Sequence, residues 1–298
     1  MMDWERERQA WPYADHSQFV PVDGTRFHVQ IVGEGTGLLL LHGSGATTHS
    51  WEGIISELSK NYRVITVDLP GHGFTEMLSN RRATLSNVST AIHKLLNGLD
   101  EAPEVIIGHS AGAAIAAQMI ANGYDAAKAL VSINGAFYPF PGFARELFPA
   151  IARVLFLNPF TPKFFAATAN KGASVDRLIA STGSRLDEKQ VNYYRRAFCS
   201  SHHVEGTLAM MANWDLTQME AQLKSLDVPV LQIIGEKDGT IDPKVANRTH
   251  KLLKDGLLKR LNGYGHLVHE EVPELVTDEI LNFLRQKLTE SSAMACAK

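Results

Sequence analysis

Short apolar runs bounded by Gly, Pro, Asn or Asp alternate along this chain with longer stretches whose apolar residues recur every three to four positions. Runs of the first kind predict strands near 17–22, 25–32, 38–42, 63–69, 104–109, 129–134, 228–234 and 257–261. Stretches of the second kind predict helices near 48–59, 84–98, 111–122, 218–225, 243–254 and 273–288. Leu38, Leu39, Leu40 and Leu41 leave no polar face, as a parallel strand covered on both sides requires. Asp23-Gly24, between the first two runs, is the turn chemistry of a tight hairpin, so those strands pair antiparallel. Regular alternation of strand and helix gives an α/β architecture: a mostly parallel eight-stranded sheet flanked by helices. The small, polar tail after residue 289 is expected to fray.

The alternation stops between residues 136 and 215. A connection of that length must fold on itself. We expect residues 1–135 and 216–298 to form the core, and 136–215 to form a helical cap inserted after the sixth strand. Pro139, Pro141, Pro149, Pro159 and Pro162 cut its first part into short helices. Eight of the chain's 13 phenylalanines lie between Phe137 and Phe165. About half would serve as the cap's own core. The rest, including Phe137 and Phe140, are expected with Met210, Met211 and Trp214 to line a large apolar pocket for a bulky, flat hydrophobic molecule, or a membrane-facing entrance.

The densest chemical signal is Gly108-His109-Ser110-Ala111-Gly112, which follows Val105-Ile106-Ile107 and precedes a run of small residues. Strand, sharp turn and helix around G-x-S-x-G form a nucleophile elbow, in which small neighbours let the serine hold a strained backbone. A serine hydroxyl needs a base and oxyanion donors to attack. In this arrangement the acid and then the histidine follow the serine along the chain. His266, after Asn262-Gly263-Tyr264-Gly265 and the last predicted strand, is the candidate base. Asp238, just past the strand that ends at Ile234, is the candidate acid; Asp242 and Glu236 are weaker alternatives. His42-Gly43-Ser44-Gly45 ends the leucine run, so the backbone N–H groups of Ser44 and Ala111 are the candidate oxyanion donors. His42, Gly43 and His109 are expected beside the substrate pocket, with the two histidines structural rather than catalytic. Asp68-Leu69-Pro70-Gly71-His72-Gly73 reads as a structural turn near the site.

Other features narrow the function. Lys and Arg number 29 against 32 Asp and Glu, so nothing points to nucleic acid. Cys199 and Cys296 are the only cysteines, which disfavours a disulfide framework and suits a cytoplasmic protein. The charged start, Met1 to Arg8, lacks the apolar region of a signal peptide. No apolar run approaches the roughly 18 residues of a transmembrane helix. No G-x-x-x-x-G-K-[ST] phosphate loop is present, so an ATPase is not expected. His266, His269, Glu270 and Glu271 do not match H-E-x-x-H, and no metal or cofactor is expected.

Taken whole, the chain resembles the serine-type α/β-hydrolases. Within them it is similar to the magnesium-chelatase accessory-protein family of bacteriochlorophyll biosynthesis. That likeness rests on Asp3-Trp4-Glu5-Arg6 with Trp11-Pro12, Gly45 to Trp51, Asp68 to Thr75, Leu155 to Pro159, Ser181 to Asp187 and Met210 to Asp215. The resemblance implies a role beside Mg²⁺ insertion into a porphyrin, with a tetrapyrrole and magnesium chelatase as expected partners. Three readings follow: hydrolysis of an acyl bond in an apolar molecule, a non-catalytic accessory role, or carbon–carbon hydrolysis or cofactor-free haloperoxidation. An epoxide hydrolase or haloalkane dehalogenase is disfavoured, because those resemble this fold with aspartate at the elbow.

Overall fold

A computed structural model describes residues 1–139, 163, 166 and 173–296, without the side chains of 173 and 289–296. One sheet holds β1 (Ser17–Val22), β2 (Thr25–Val32), β3 (Thr36–Leu41), β4 (Tyr62–Val67), β5 (Val105–His109), β6 (Ala129–Ile133), β7 (Val230–Gly235) and β8 (Gly256–Leu261). Their spatial order is β1-β2-β4-β3-β5-β6-β7-β8. β2 pairs antiparallel with β1 and β4, and every other pairing is parallel. The expected strands are all present. In the hairpin, Asp23 and Gly24 have φ of 48° and 77°, the left-handed pair that a type I′ turn requires.

The leucine run shows why this strand carries no polar residue. Leu38 and Leu40 join Trp51, Ile54, Ile55 and Phe283 on one face. Leu39 and Leu41 join Val88, Ile92 and Ile115 on the other. The helices Glu52–Leu58 and Pro273–Cys296 supply the first layer, and Leu85–Gly98, Ala111–Ala121 and Met219–Ser225 supply the second. Ala113, Ala114, Ala116 and Ala117 are fully buried, and their small side chains let the central helix lie close to the sheet.

Three expectations change. The region 48–59 opens with a 3₁₀ turn, Thr48–Trp51, before its α-helix. The helix expected over 243–254 is only Val245–His250, since the chain must turn to enter β8 at Gly256. The C-terminal helix continues to Cys296 rather than fraying after 289; Glu290, Ala293, Met294 and Ala295 favour helix, and no Gly or Pro stops it.

Between β6 and β7 the described residues form the helices Ala173–Ser181, Glu188–Phe198 and Ser201–Ala212. Asp187 and Gln190 close a full capping box on the second. Phe140 and the phenylalanines that follow it to Phe165 lie outside the described residues. Among the described residues no helix is long and apolar enough to cross a membrane.

The strand order reverses direction between β3 and β5. In open α/β sheets, such a switch point opens a crevice at the carboxyl ends of the strands. The loops after β3, β5, β6, β7 and β8 all emerge along this edge, and they carry the candidate residues.

Candidate active site

β5 feeds directly into the helix Ala111–Ala121, with Ser110 between them at φ 50° and ψ −114°. Such a conformation costs roughly 1–3 kcal/mol in a non-glycine residue. It persists because the surroundings hold it. Ser110 N–H donates to Ile133 O at 3.0 Å, and Ser110 O accepts from Ala113 and Ala136 N–H at 3.2 and 3.1 Å. A methyl on Gly108 would overlap the Ala113 backbone, and one on Gly112 would overlap the carbonyl of Leu41. Both glycines of the motif are therefore sterically required.

The acid and base candidates meet. Asp238 Oδ2 lies 2.7 Å from His266 Nδ1. A carboxylate only accepts, so the proton of this bond resides on Nδ1 and leaves Nε2 as the basic nitrogen. Asp238 Oδ1 accepts from the N–H groups of Thr240 and Ile241 at 2.7 and 2.8 Å. Asn134, after β6, donates from Nδ2 to Asp238 Oδ2 at 2.5 Å and accepts from Gly235 N–H at 3.1 Å. Asn134 also has φ 44° and was not singled out in the sequence. Its one trace there is Asn134-Gly135 straight after an apolar run, a turn signal. Asp242 caps Lys244 N–H, and Glu236 faces Arg260, so neither alternative acid is at the histidine.

His266 is brought beside the elbow through His109, whose ring centroid is 4.7 Å from that of His266. His109 Nε2–H donates to the backbone oxygen of His266 at 2.9 Å. Among the described residues no hydrogen bond joins Ser110 to His266. Such bonds commonly tighten only when substrate is bound.

The loop after β3 is built as a turn in which Ala46 N–H donates to Gly43 O at 3.1 Å and Gly45 has φ 82°. Ser44 is exposed and Ala111 is buried. Among the described residues neither backbone N–H has a protein acceptor. Two histidines hold this loop from beneath. His42 Nδ1–H donates to Gly43 O at 2.7 Å while Nε2 accepts from Leu69 N–H at 2.9 Å. His203, on the helix Ser201–Ala212, donates from Nε2 to Gly45 O at 3.2 Å and accepts at Nδ1 from Gly73 N–H at 3.1 Å. Each ring spans the loop and the 69–73 turn in one neutral tautomer.

Burial keeps these rings neutral. It lowers the His42 pKa and pushes those of His49, His203 and His269 down to about 3. His72 and His109 are also held well below the usual imidazole range, first by burial and then by neighbouring histidines. Asp68 is the fixed anion among them. Burial opposes its charge, but His28, 2.9 Å away, together with His42 and the Phe74 N–H, outweighs this and holds the carboxyl well below its usual range. Its other oxygen accepts from Thr48 N–H at 2.7 Å. Asp68 thereby ties β2, the loop beyond β3 and its own turn together. Glu270 is the opposite case: burial pushes its pKa up to about 8, and its Oε1 accepts from Tyr194 Oη–H at 2.6 Å.

The expected pocket residues divide. His42 is fully buried with both nitrogens engaged, so it offers no surface to a substrate here; it supports the loop. Gly43 and His109 are buried against each other, since a methyl on Gly43 would sit 2.8 Å from His109 Nδ1. Phe137 is buried in the core and walls a cavity of about 10 Å³ beside Asp238. Trp214 is half-buried against the same core. Among the described residues, no group of three or more His, Cys, Asp or Glu side chains is arranged to hold a metal ion.

Sheet order, elbow and the loops along its carboxyl edge define an α/β-hydrolase, and the chain belongs to the alpha/beta hydrolase fold family, whose model matches residues 37–273. It is 35% identical over 276 residues to the magnesium-chelatase 30 kDa subunit of Rhodobacter capsulatus, a match covering 92% of this chain and 96% of that protein. It is 26% identical over 266 residues to the pimeloyl-(acyl-carrier protein) methyl ester esterase of Vibrio vulnificus, covering 87% of this chain and 98% of that enzyme. Among solved structures, an esterase from Exiguobacterium antarcticum superposes with a TM-score of 0.74 at 20% identity, covering 90% of this chain and 99% of that one.

Proposed function

We propose that this protein is a serine hydrolase cleaving an ester or similar acyl bond of an apolar molecule, in the cytoplasm and without a cofactor. The observation that carries this reading is the 2.7 Å Asp238–His266 bond beside a serine held at positive φ. Ser110 Oγ attacks the acyl carbon as His266 Nε2 takes its proton. Asp238 keeps the other ring proton on Nδ1 and stabilises the imidazolium that forms. The oxyanion is received by the N–H groups of Ser44 and Ala111, each worth about 10²–10³ in turnover. His266 then protonates the leaving group, and water repeats the sequence on the acyl-enzyme. In this reading residues 136–215 are the cap, which packs on the core through Phe137 and Trp214.

Active-site labelling with a fluorescent fluorophosphonate tests it. Wild-type protein should label, and Ser110→Ala and His266→Ala should not. Failure of folded wild type to react with either this probe or a smaller phosphonate would overturn the reading.

A second reading is favoured by the 35% identity to a magnesium-chelatase subunit. Here the protein binds a tetrapyrrole or assists magnesium chelatase in bacteriochlorophyll biosynthesis, with or without hydrolysis. Porphyrin absorbance during titration with the protein, and chelatase rate with wild type and Ser110→Ala, separate the two. Stimulation that survives Ser110→Ala supports the accessory role. Stimulation lost with labelling makes hydrolysis the contribution.

A further inference from the structure

We propose that Ser181–Ser184, a backbone wedge at the end of the helix Ala173–Ser181, is the positioning element that sets Asp238 against His266. The inference rests on the hydrolase reading above for its consequence in catalysis, but its geometry is independent of that reading. The Thr182 carbonyl accepts from two N–H groups at once, His266 at 3.1 Å and Gly239 at 3.0 Å. One oxygen therefore joins the loop bearing the base to the loop bearing the acid. Two residues on, Ser184 Oγ accepts from Leu267 N–H at 2.8 Å. The Glu271 carboxylate completes the joint, taking Gly265 N–H at 2.7 Å and Arg185 N–H at 3.1 Å.

These three segments touch main chain to main chain. A methyl on Gly183 would overlap the Lys237 carbonyl, one on Gly239 would overlap the Ser181 carbonyl, and one on Gly265 would meet Gly183 and Ser184. Gly183 also has φ 79°, which an L side chain adopts only with strain. Thr182 is itself anchored, its N–H and hydroxyl both donating to Ile179 O at 3.0 and 2.6 Å. Close-packed interiors transmit displacement. A shift of the helical insert thus moves the acid and base loops together with it, and a molecule that repositions the insert alters the Asp238–His266 bond.

The test uses full-length Ser184→Ala, which deletes one hydrogen bond, and Gly183→Ala, which forces the wedge outward. Two readouts are taken on folded protein. One is the tautomer of His266 in ring-¹⁵N-histidine-labelled protein, its signals assigned by their loss in His266→Gln, with Asp238→Asn as the unpinned reference. The other is the rate and pH profile of fluorophosphonate labelling. Wild type should hold the proton on Nδ1. Both variants should move toward the mixed tautomers of Asp238→Asn and label ~10-fold more slowly, the scale of a small misplacement of reacting groups. A wild-type tautomer and labelling profile in folded Ser184→Ala and Gly183→Ala would overturn the proposal; if Gly183→Ala does not fold, Ser184→Ala decides. If wild type never labels but the tautomer shifts as expected, the positioning role stands and the hydrolase reading falls.

Discussion

Acidification acts on two kinds of buried group in opposite directions, and their balance fixes the pH of greatest stability. His49, His203 and His269 titrate at about 3 in the native state against an ordinary 6.5. Between those values the unfolded chain binds protons that the native state refuses. Stability therefore falls as pH falls, by about 1 kcal/mol per pH unit for each histidine. Glu270 is raised to about 8 from 4.5, so between those values the native state holds a proton that the unfolded state has released. Its contribution is fully present below 4.5 and is lost as pH rises toward 8, again about 1 kcal/mol per unit. Below 6.5 the three histidines, joined by His42, His72 and His109 acting in the same direction, outweigh Glu270, leaving a net fall of at least ~2 kcal/mol per pH unit. Above 6.5 these histidines no longer contribute and Glu270 sets the opposite slope, offset in part by the Met1 amine, which burial lowers from 8.0. Stability should peak near pH 6.5 and drop by at least ~3 kcal/mol by pH 5, a large share of the roughly 5–15 kcal/mol that holds a domain folded. Urea midpoints at pH 5, 6.5 and 8, with the slope m checked for constancy, read this directly. Glu270→Gln keeps an acceptor for Tyr194 and should flatten the limb above 6.5 while making the acid limb steeper by about 1 kcal/mol per pH unit. A midpoint unchanged between pH 6.5 and 5 would refute the reasoning, because it would mean that these histidines gain their protons without unfolding.

Further outcomes follow from single contacts. His203→Ala strands Gly45 O and Gly73 N–H in the interior; it should cost ~2–4 kcal/mol and make the acid limb about 1 kcal/mol per pH unit shallower, both measured in the same urea titrations. Asn134→Ala removes a charge-assisted bond to Asp238 and orphans Gly235 N–H, so phosphonate labelling should slow at least ~10-fold with a stability loss of ~2–4 kcal/mol; unchanged labelling would remove Asn134 from the site. Gly112→Ala drives a methyl into the Leu41 carbonyl and should destabilise by ~3 kcal/mol or more, seen as a lowered melting temperature or insoluble protein.

What was legible and what was not divides along a physical line. Strands could be read because a buried parallel strand admits few polar residues, as Leu38 to Leu41 and Val105 to Ile107 show. Ser110 and Asp238 could be read because each closely follows an apolar buried strand, and His266 because two glycines precede it after the edge strand β8. The positioning groups have no such signature. Asn134 resembles any turn asparagine until its amide is found on Asp238. His203 reaches Gly45 across 158 positions, through a helix whose packing no local period encodes. Thr182 acts through its carbonyl, which every residue has. Its trace in the chain is indirect. Gly183, Gly239 and Gly265 read as ordinary loop glycines, whose usual property is conformational freedom. Their shared property is the opposite of freedom, since each is small because another backbone fills the space of its side chain. Chemistry at this edge is written in side chains, whereas its alignment is written where side chains are missing, and only coordinates show which missing side chain faces which backbone.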